Sequence, residues 1–345
     1  MEAQDTMRKY LDDDASTVVS EWRNLPIDTS SRKKHKIFRT ALKYPEKNRY
    51  TDVLPFDSTR VCLTPTEKNE DGYINASYVV LPRSKAISTQ GPLPVCFEDF
   101  WQMVWENKVR LIIMLTRLRE RQRTKAHCYW PSEGETETFG TITVQALSTK
   151  PQDHYVIRKF SISYEDKQRT IYQIQYTDWP DFGVPASSQS ILDLLETIEK
   201  HRAKFKVAPS KKRTQLLFHC SAGIGRCGTL LSIYYAIEQL KEGNPVSRIS
   251  VPDIVCSLRS NRLGMVQTQE QFEFIYKVIN DYLRGGSTSK PRKRDLRQVS
   301  APSAALINRR KNRPLRSNRT VVPPKPKKSQ TWQTLPVDCT IIDVN

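Results

Sequence analysis

Apolar residues recur along this chain with two periods. Thr170-Ile171-Tyr172-Gln173-Ile174-Gln175-Tyr176 alternates, which predicts a strand, and Gln215-Leu216-Leu217-Phe218 is a short apolar run suited to a buried one. Gln189 to His201, Thr229 to Leu240 and Thr268 to Leu283 repeat their apolar positions at helical spacing and predict amphipathic helices. Short β-rich runs alternating with such stretches indicate an α/β layered fold. Residues 1–285 suffice for one large core, near the upper size for a single one. Five of the six tryptophans precede residue 180, inside that region. Internal repeats are not evident. No apolar run approaches the roughly 18 residues a bilayer span needs, and charged residues follow Met1, so a soluble, cytoplasmic protein is expected.

Composition changes at Gly285-Gly286. From residue 286 onward there are 14 Lys and Arg against 3 Asp and Glu, so 11 of the chain's 18 net positive charges sit in the last stretch. Rich in Pro, Ser and basic residues and poor in aromatics, 286–345 cannot bury enough surface to fold and reads as a disordered basic tail. Its clusters Lys290-Pro291-Arg292-Lys293-Arg294 and Arg309-Arg310-Lys311-Asn312-Arg313 read equally as a nuclear address, an anionic-membrane contact or a solvating tail. Pro323-Pro324-Lys325-Pro326 fits an SH3-type docking segment. Nucleic acid is disfavoured as a partner, because the preceding residues carry no recognised binding motif and intersperse their cations with acids. The seven cysteines are odd in number, scattered and without metal-ligand spacing, which implies a reducing compartment and neither metal nor other cofactor.

The chemistry concentrates in Phe218-His219-Cys220-Ser221-Ala222-Gly223-Ile224-Gly225-Arg226-Cys227-Gly228. The run joins a predicted strand to a predicted helix. Backbone N–H groups between Cys220 and Arg226 can converge on one anion at the positive helix end, and Gly223 and Gly225 permit the close approach. Arg226 adds a planar fork for two phosphoryl oxygens, and the same positive field should lower the Cys220 pKa from about 8.5. The run also matches GxGxxG. A dinucleotide loop, however, has no use for Cys220 or Arg226, and no strand ending in Asp or Glu is evident about 20 residues on. A thiolate attacking phosphorus needs a proton donor for the departing oxygen. Asp181 offers one, in the irregular stretch Tyr176-Thr177-Asp178-Trp179-Pro180-Asp181-Phe182-Gly183-Val184-Pro185, with Trp179 as a plug at its base.

These features recur in an ordered series: Lys47-Asn48-Arg49-Tyr50-Thr51-Asp52-Val53, Tyr73-Ile74-Asn75-Ala76-Ser77, Thr89-Gln90-Gly91-Pro92, Tyr129-Trp130-Pro131, Trp179-Pro180-Asp181, His219 to Gly228, and Gln267-Thr268-x-x-Gln271. Over roughly residues 35–282 the chain resembles the tyrosine-specific, cysteine-based protein tyrosine phosphatases of the non-receptor, cytosolic type. The resemblance implies a twisted mixed β-sheet flanked by helices and hydrolysis of phosphotyrosyl proteins. Cys220 would be nucleophile, Arg226 phosphate clamp and Asp181 general acid and then base, with Gln267 orienting water beside Gln271. The backbone of Ser221, Ala222, Gly223, Ile224 and Gly225 would cradle the phosphate. Tyr50 would wall a slot too deep for phosphoserine, and Asp52 would hold the substrate backbone. His219 would support the thiolate electrostatically, Glu120 would orient Arg226, and Lys125 would lie near Asp181. Read from the residues alone, Arg117 to Lys125 is a solvated charged surface.

Cys227 departs from the family pattern, which has a serine or threonine whose hydroxyl bonds the nucleophilic sulfur. A thiol donates more weakly, so slow hydrolysis of the phosphoenzyme is expected. Thr51 stands where some members carry a basic residue, which leaves a preference for acidic flanks without that support. A phosphotyrosine-binding module with little turnover is the second reading. The expected organisation is an N-terminal helical or irregular extension over 1–34, a catalytic domain over 35–285, and the tail.

Overall fold

The computed structural model describes residues 15–26, 37–180, 183–205 and 215–285. Asp181, the expected general acid, and 286–345, with the expected docking and targeting segments, lie outside the described residues, as do 1–14 and 27–36 of the expected N-terminal extension.

The helices are α1 Ala15–Asn24, α2 Arg39–Lys43, α3 Phe97–Glu106, α4 Ser188–Ala203, α5 Gly225–Lys241, α6 Val251–Asn261 and α7 Gln269–Leu283. The strands are β1 Arg60–Cys62, β2 Tyr73–Val80, β3 Lys85–Thr89, β4 Val109–Met114, β5 Arg119–Glu120, β6 Arg123–Thr124, β7 Thr136–Phe139, β8 Ile142–Pro151, β9 Tyr155–Tyr164, β10 Lys167–Tyr176 and β11 Gln215–His219. The large sheet runs β1-β2-β3-β11-β4-β10-β9-β8-β7. Its centre, β3-β11-β4-β10, is parallel, and the outer pairings are antiparallel. It is therefore a mixed sheet.

Pleat explains why the central strands read as continuous apolar runs. Leu216 and Phe218 of β11, with Leu111 and Ile113 of β4, face a core shared with α4, α5, α6 and α7. Leu217, Val109 and Ile112 face a second core with α3 and the outer strands. A strand buried on both faces needs apolar residues at successive positions. Helix α5 begins at Gly225, four residues before the expected Thr229. Its first turn carries no apolar period because Gly225 and Arg226 belong to the site rather than to the core stripe.

Helix α1, inside the stretch read as an extension, buries Val18 in the first core. Trp22 packs on Phe272 of α7 at 5.6 Å between ring centroids, Arg259 lies over the Trp22 ring at 5.4 Å, and Tyr276 bonds Glu21. Among the described residues no helix is long and apolar enough to cross a membrane.

Candidate functional site

The chain leaves β11 at His219, turns through residues 220–224 and enters α5 at Gly225. Gly223 takes φ +74°, and a Cβ there would lie 2.2 Å from the Thr89 carbonyl oxygen, so only glycine fits. Its N–H donates to Cys220 Sγ at 3.2 Å. The largest cause acting on Cys220 is a hydrogen bond from the Cys227 side chain. Burial opposes it, while the backbone N–H of Cys227, the charge of Arg226 and the Gly223 N–H assist, and the pKa falls to about 6. The Cys227 thiol is itself pushed well above its ordinary value by burial and by its bond to Cys220, so Cys227 is the donor of the pair. The sequence pointed to Arg226 and the helix terminus; the neighbouring thiol comes first.

Arg226 is held from behind. Its Nη1 and Nη2 donate to Glu120 Oε1 and Oε2 at 2.7 and 2.8 Å, and further to the carbonyls of Leu115 and Pro180 at 3.0 and 3.1 Å. Burial pushes the Glu120 carboxyl up, but the bonds and charge of Arg226, with Thr116 and the Arg117 N–H, hold it below its usual value. Glu120 thus turns inward from a short β5–β6 ribbon and fixes the guanidinium plane. The last bond joins Arg226 to the residue preceding Asp181, whose own position lies outside the described residues.

Of the other expected residues, Tyr50, Lys125, Gln267 and Gln271 lie against this turn. Ser221 Oγ donates to the Lys125 carbonyl at 2.9 Å, which leaves Tyr50 Oη as donor to Ser221 Oγ at 2.8 Å. Asp52 is exposed two residues after Tyr50. Trp179 is buried, with Nε1 donating to Gly183 O at 3.3 Å. Gln271 is buried and accepts the Gln267 N–H at 2.9 Å. A Cβ on Gly225 would meet Gln267 Oε1 at 2.4 Å, so the Gln267 amide lies against the start of α5. Ala222 and Ile224 contribute carbonyls turned outward from the loop, to Arg262 at 3.0 Å and to the Val266 N–H at 3.1 Å.

His219 is fully buried, and burial pulls its pKa down to about 4, so the ring is neutral. Its tautomer follows from a chain of bonds. Arg158 Nη1 donates to Gln173 Oε1 at 2.9 Å, Gln173 Nε2 to Tyr129 Oη at 2.7 Å, and Tyr129 therefore to His219 Nε2 at 2.8 Å. The His219 proton is left on Nδ1, which donates to the Cys220 carbonyl at 3.3 Å. The expected electrostatic support is a dipole, not an imidazolium charge.

Sequence reasoning missed Arg262. Fully buried at the end of α6, it donates to Gly223 O at 3.1 Å, Ala222 O at 3.0 Å, Asn75 Oδ1 at 2.7 Å and Ser77 Oγ at 3.2 Å. Burial pulls its pKa down to about 10, which leaves it charged at neutral pH. Val266, β-branched and buried, holds φ +62° immediately before Gln267. Such a backbone costs on the order of 1–3 kcal/mol and persists only where its surroundings impose it. No local sequence signal marks either residue.

The sequence model of the family described as Protein-tyrosine phosphatase matches residues 44–281. The chain is 34% identical over 293 residues to a human protein named Tyrosine-protein phosphatase non-receptor type 14, covering 81% of this chain and 24% of that one. It is 41% identical over 271 residues to Tyrosine-protein phosphatase Lar-like of Caenorhabditis elegans, covering 76% and 12%. It is 38% identical over 264 residues to Tyrosine-protein phosphatase non-receptor type 4 of Mus musculus, covering 73% and 27%. The matched region thus spans about a quarter or less of the length of these relatives.

Proposed function

The chain belongs to the protein-tyrosine phosphatase family, and from that premise we propose that it hydrolyses phosphotyrosine in proteins through a phosphoryl group carried on Cys220. The observation that carries this reading is the pairing of a low-pKa thiol with a fixed guanidinium at opposite ends of one glycine turn. The Cys220 thiolate attacks phosphorus in line, the tyrosyl oxygen leaves, and Asp181 supplies its proton. Water oriented by Gln267 then attacks the cysteinyl phosphate, Asp181 takes the proton, and the thiolate departs with the Cys227 thiol bonded to it. Arg226 and the backbone N–H groups of 221–226 hold the equatorial oxygens through both displacements. Tyr50 and Asp52 receive the aryl ring and the peptide backbone, and Lys125 keeps the supporting role the resemblance implies. The catalytic unit we assign is 35–285, with α1 docked on it. A cytoplasmic setting is consistent with the unpaired cysteines among the described residues.

Cys227 sets the pH dependence. Only deprotonated Cys220 attacks, so kcat/KM should hold above a pKa of about 6 and fall about tenfold per pH unit below it. Cys227→Ala removes the largest cause of the lowering, so its acid limb should move to higher pH. Cys227→Ser, a stronger donor, should raise turnover above that of the wild type. The test is steady-state hydrolysis of a phosphotyrosyl peptide by the full chain in chelator, scanned from pH 5 to 8, beside the same peptide carrying phosphoserine. An unmoved limb in Cys227→Ala rejects the role given to that thiol. Equal turnover of phosphoserine rejects the deep slot, and binding without turnover leaves a phosphotyrosine-binding module.

A further inference from the structure

Ser88 is fully buried in β3, in register with Phe218 of β11 on one side and Ser77 of β2 on the other. Its neighbours Ala86 and Ile87 lie in opposite cores, so the pleat turns Ser88 to the side of Ala86, the core that also contains Cys220 and Cys227. A hydroxyl buried there must find partners. Ser88 Oγ donates to the Gly223 carbonyl at 2.9 Å and is hydrogen-bonded to the Cys227 thiol, which is also bonded to Cys220. With the Gly223 N–H on Cys220 Sγ at 3.2 Å, the contacts close a buried ring that runs from Cys220 through Cys227, Ser88 and Gly223 and back. Ser88 is the member of that ring to which the proposed reaction gives no part.

The direction of each bond follows from what its groups can give. A carbonyl only accepts, so the single Ser88 hydroxyl proton is spent on Gly223, and Ser88 turns a lone pair to Cys227. Cys227, kept protonated by burial and by its bond to Cys220, has one proton as well. Two acceptors therefore compete for its S–H, Cys220 Sγ and Ser88 Oγ. A thiolate is charged and wins that competition. Once the Cys220 sulfur is neutral, as a thiol or as the cysteinyl phosphate, the order reverses, because a hydroxyl oxygen accepts better than a neutral sulfur.

We propose that Ser88 is a positioning residue that holds the Cys227 S–H while Cys220 is phosphorylated and releases it to the Cys220 sulfur as the S–P bond breaks. The inference rests on the hydrolysis through Cys220 proposed above and adds a residue to its second step. In that step the electron pair of the S–P bond stays on Cys220, the phosphoryl group passes to water, and the water proton goes to Asp181. No bond of Ser88 or Cys227 is made or broken; the S–H turns from Ser88 Oγ to Cys220 Sγ without leaving its own sulfur. Ser88 thus stabilises the two states in which the Cys220 sulfur is neutral, and not the thiolate. Removing its hydroxyl should ease the ionisation of Cys220 and shorten the life of the phosphoenzyme.

The test is Ser88→Ala in this chain, alone and combined with Cys227→Ala, with two readouts. The first is alkylation of Cys220 by iodoacetamide as a function of pH, followed on its peptide by mass analysis, which reads the thiolate without any turnover. Ser88→Ala should place the midpoint about half a pH unit below that of the wild type, a roughly threefold effect on the scale of one weak hydrogen bond. In the Cys227→Ala background the same change should leave the midpoint where it is. The second readout is the fraction of phosphorylated Cys220 in acid-quenched turnover of a saturating phosphotyrosyl peptide, which should fall in Ser88→Ala. A purely structural effect, exerted through the Gly223 carbonyl that Arg262 Nε also holds at 3.1 Å, would act equally in both backgrounds. An unmoved or raised midpoint, an equal shift in the Cys227→Ala background, or an undiminished phosphoenzyme overturns the proposal. If no peptide is turned over, the hydrolysis reading fails separately, and the midpoints still decide whether Ser88 competes for the Cys227 proton.

Discussion

A Cys220→Ser variant is expected to lose turnover by a factor on the order of 10⁵, the scale seen when an enzyme's nucleophile is removed, while binding a phosphotyrosyl peptide at least as tightly as the wild type. The sulfur is poised to ionise, with a pKa pulled to about 6 by the Cys227 thiol, two backbone N–H groups and Arg226. A serine hydroxyl in the same cradle stays protonated at neutral pH and has no base to activate it, because His219 is turned to the Cys220 carbonyl with its other nitrogen bonded to Tyr129. Shape is conserved, so the phosphate still meets Arg226 and the loop N–H groups. One negative charge is removed from beneath a dianion, which favours binding. Rapid-mixing turnover together with peptide anisotropy checks both halves. Residual turnover within tenfold of the wild type would mean that Cys220 is not the attacking group.

Arg262→Met is expected to cost about 3–5 kcal/mol of stability, the range for breaking a buried charged hydrogen-bond set, and to lower kcat/KM by roughly a hundredfold or more, the scale of a lost positioning contact. Arg262 has no carboxylate among its four hydrogen-bond acceptors: two are carbonyls of the nucleophile turn, and the others are Asn75 and Ser77 side chains of β2. It therefore ties the turn to the sheet and holds the Ala222 and Gly223 carbonyls on its own side of the turn. The mechanism proposed above needs their N–H groups on the other side, toward the phosphate. Methionine fills the volume but leaves those acceptors buried without donors. A thermal melt and peptide kinetics on the same sample separate the two effects. Lost stability with unchanged kcat/KM at a temperature where the variant is folded would make Arg262 a structural residue only.

Much of this architecture was legible in the residues, for identifiable reasons. Strand β10 and helices α4 and α7 carry a legible period because one face of each is buried, whereas β11 and α5 are buried nearly all round and stand out as apolar runs. The nucleophile turn stood out because cysteine, glycines and arginine have no shared structural use. Three things were hidden. The β5–β6 ribbon has two residues per strand, too few for any alternation, so its charges read as solvated surface until Glu120 is seen to turn inward. Arg262, between Asn261 and Leu263, looks like any helix-end cation; its burial depends on the carbonyls of residues 222 and 223, from another element, accepting its hydrogen bonds. The state of His219 depends on Tyr129 and Gln173, 90 and 46 residues away in the chain. Cys227 was visible as a departure, but its place as the leading influence on Cys220 required the contact itself.

The covalent mechanism is tested most directly by acid quench of this chain during turnover of a phosphotyrosyl peptide, followed by peptide mass analysis. A phosphoryl adduct on the peptide containing Cys220, accumulating within the first turnover, more abundant than in Cys227→Ser and absent from Cys220→Ser, is the predicted result. Turnover with no adduct on Cys220, or with one on another residue, would contradict the covalent mechanism.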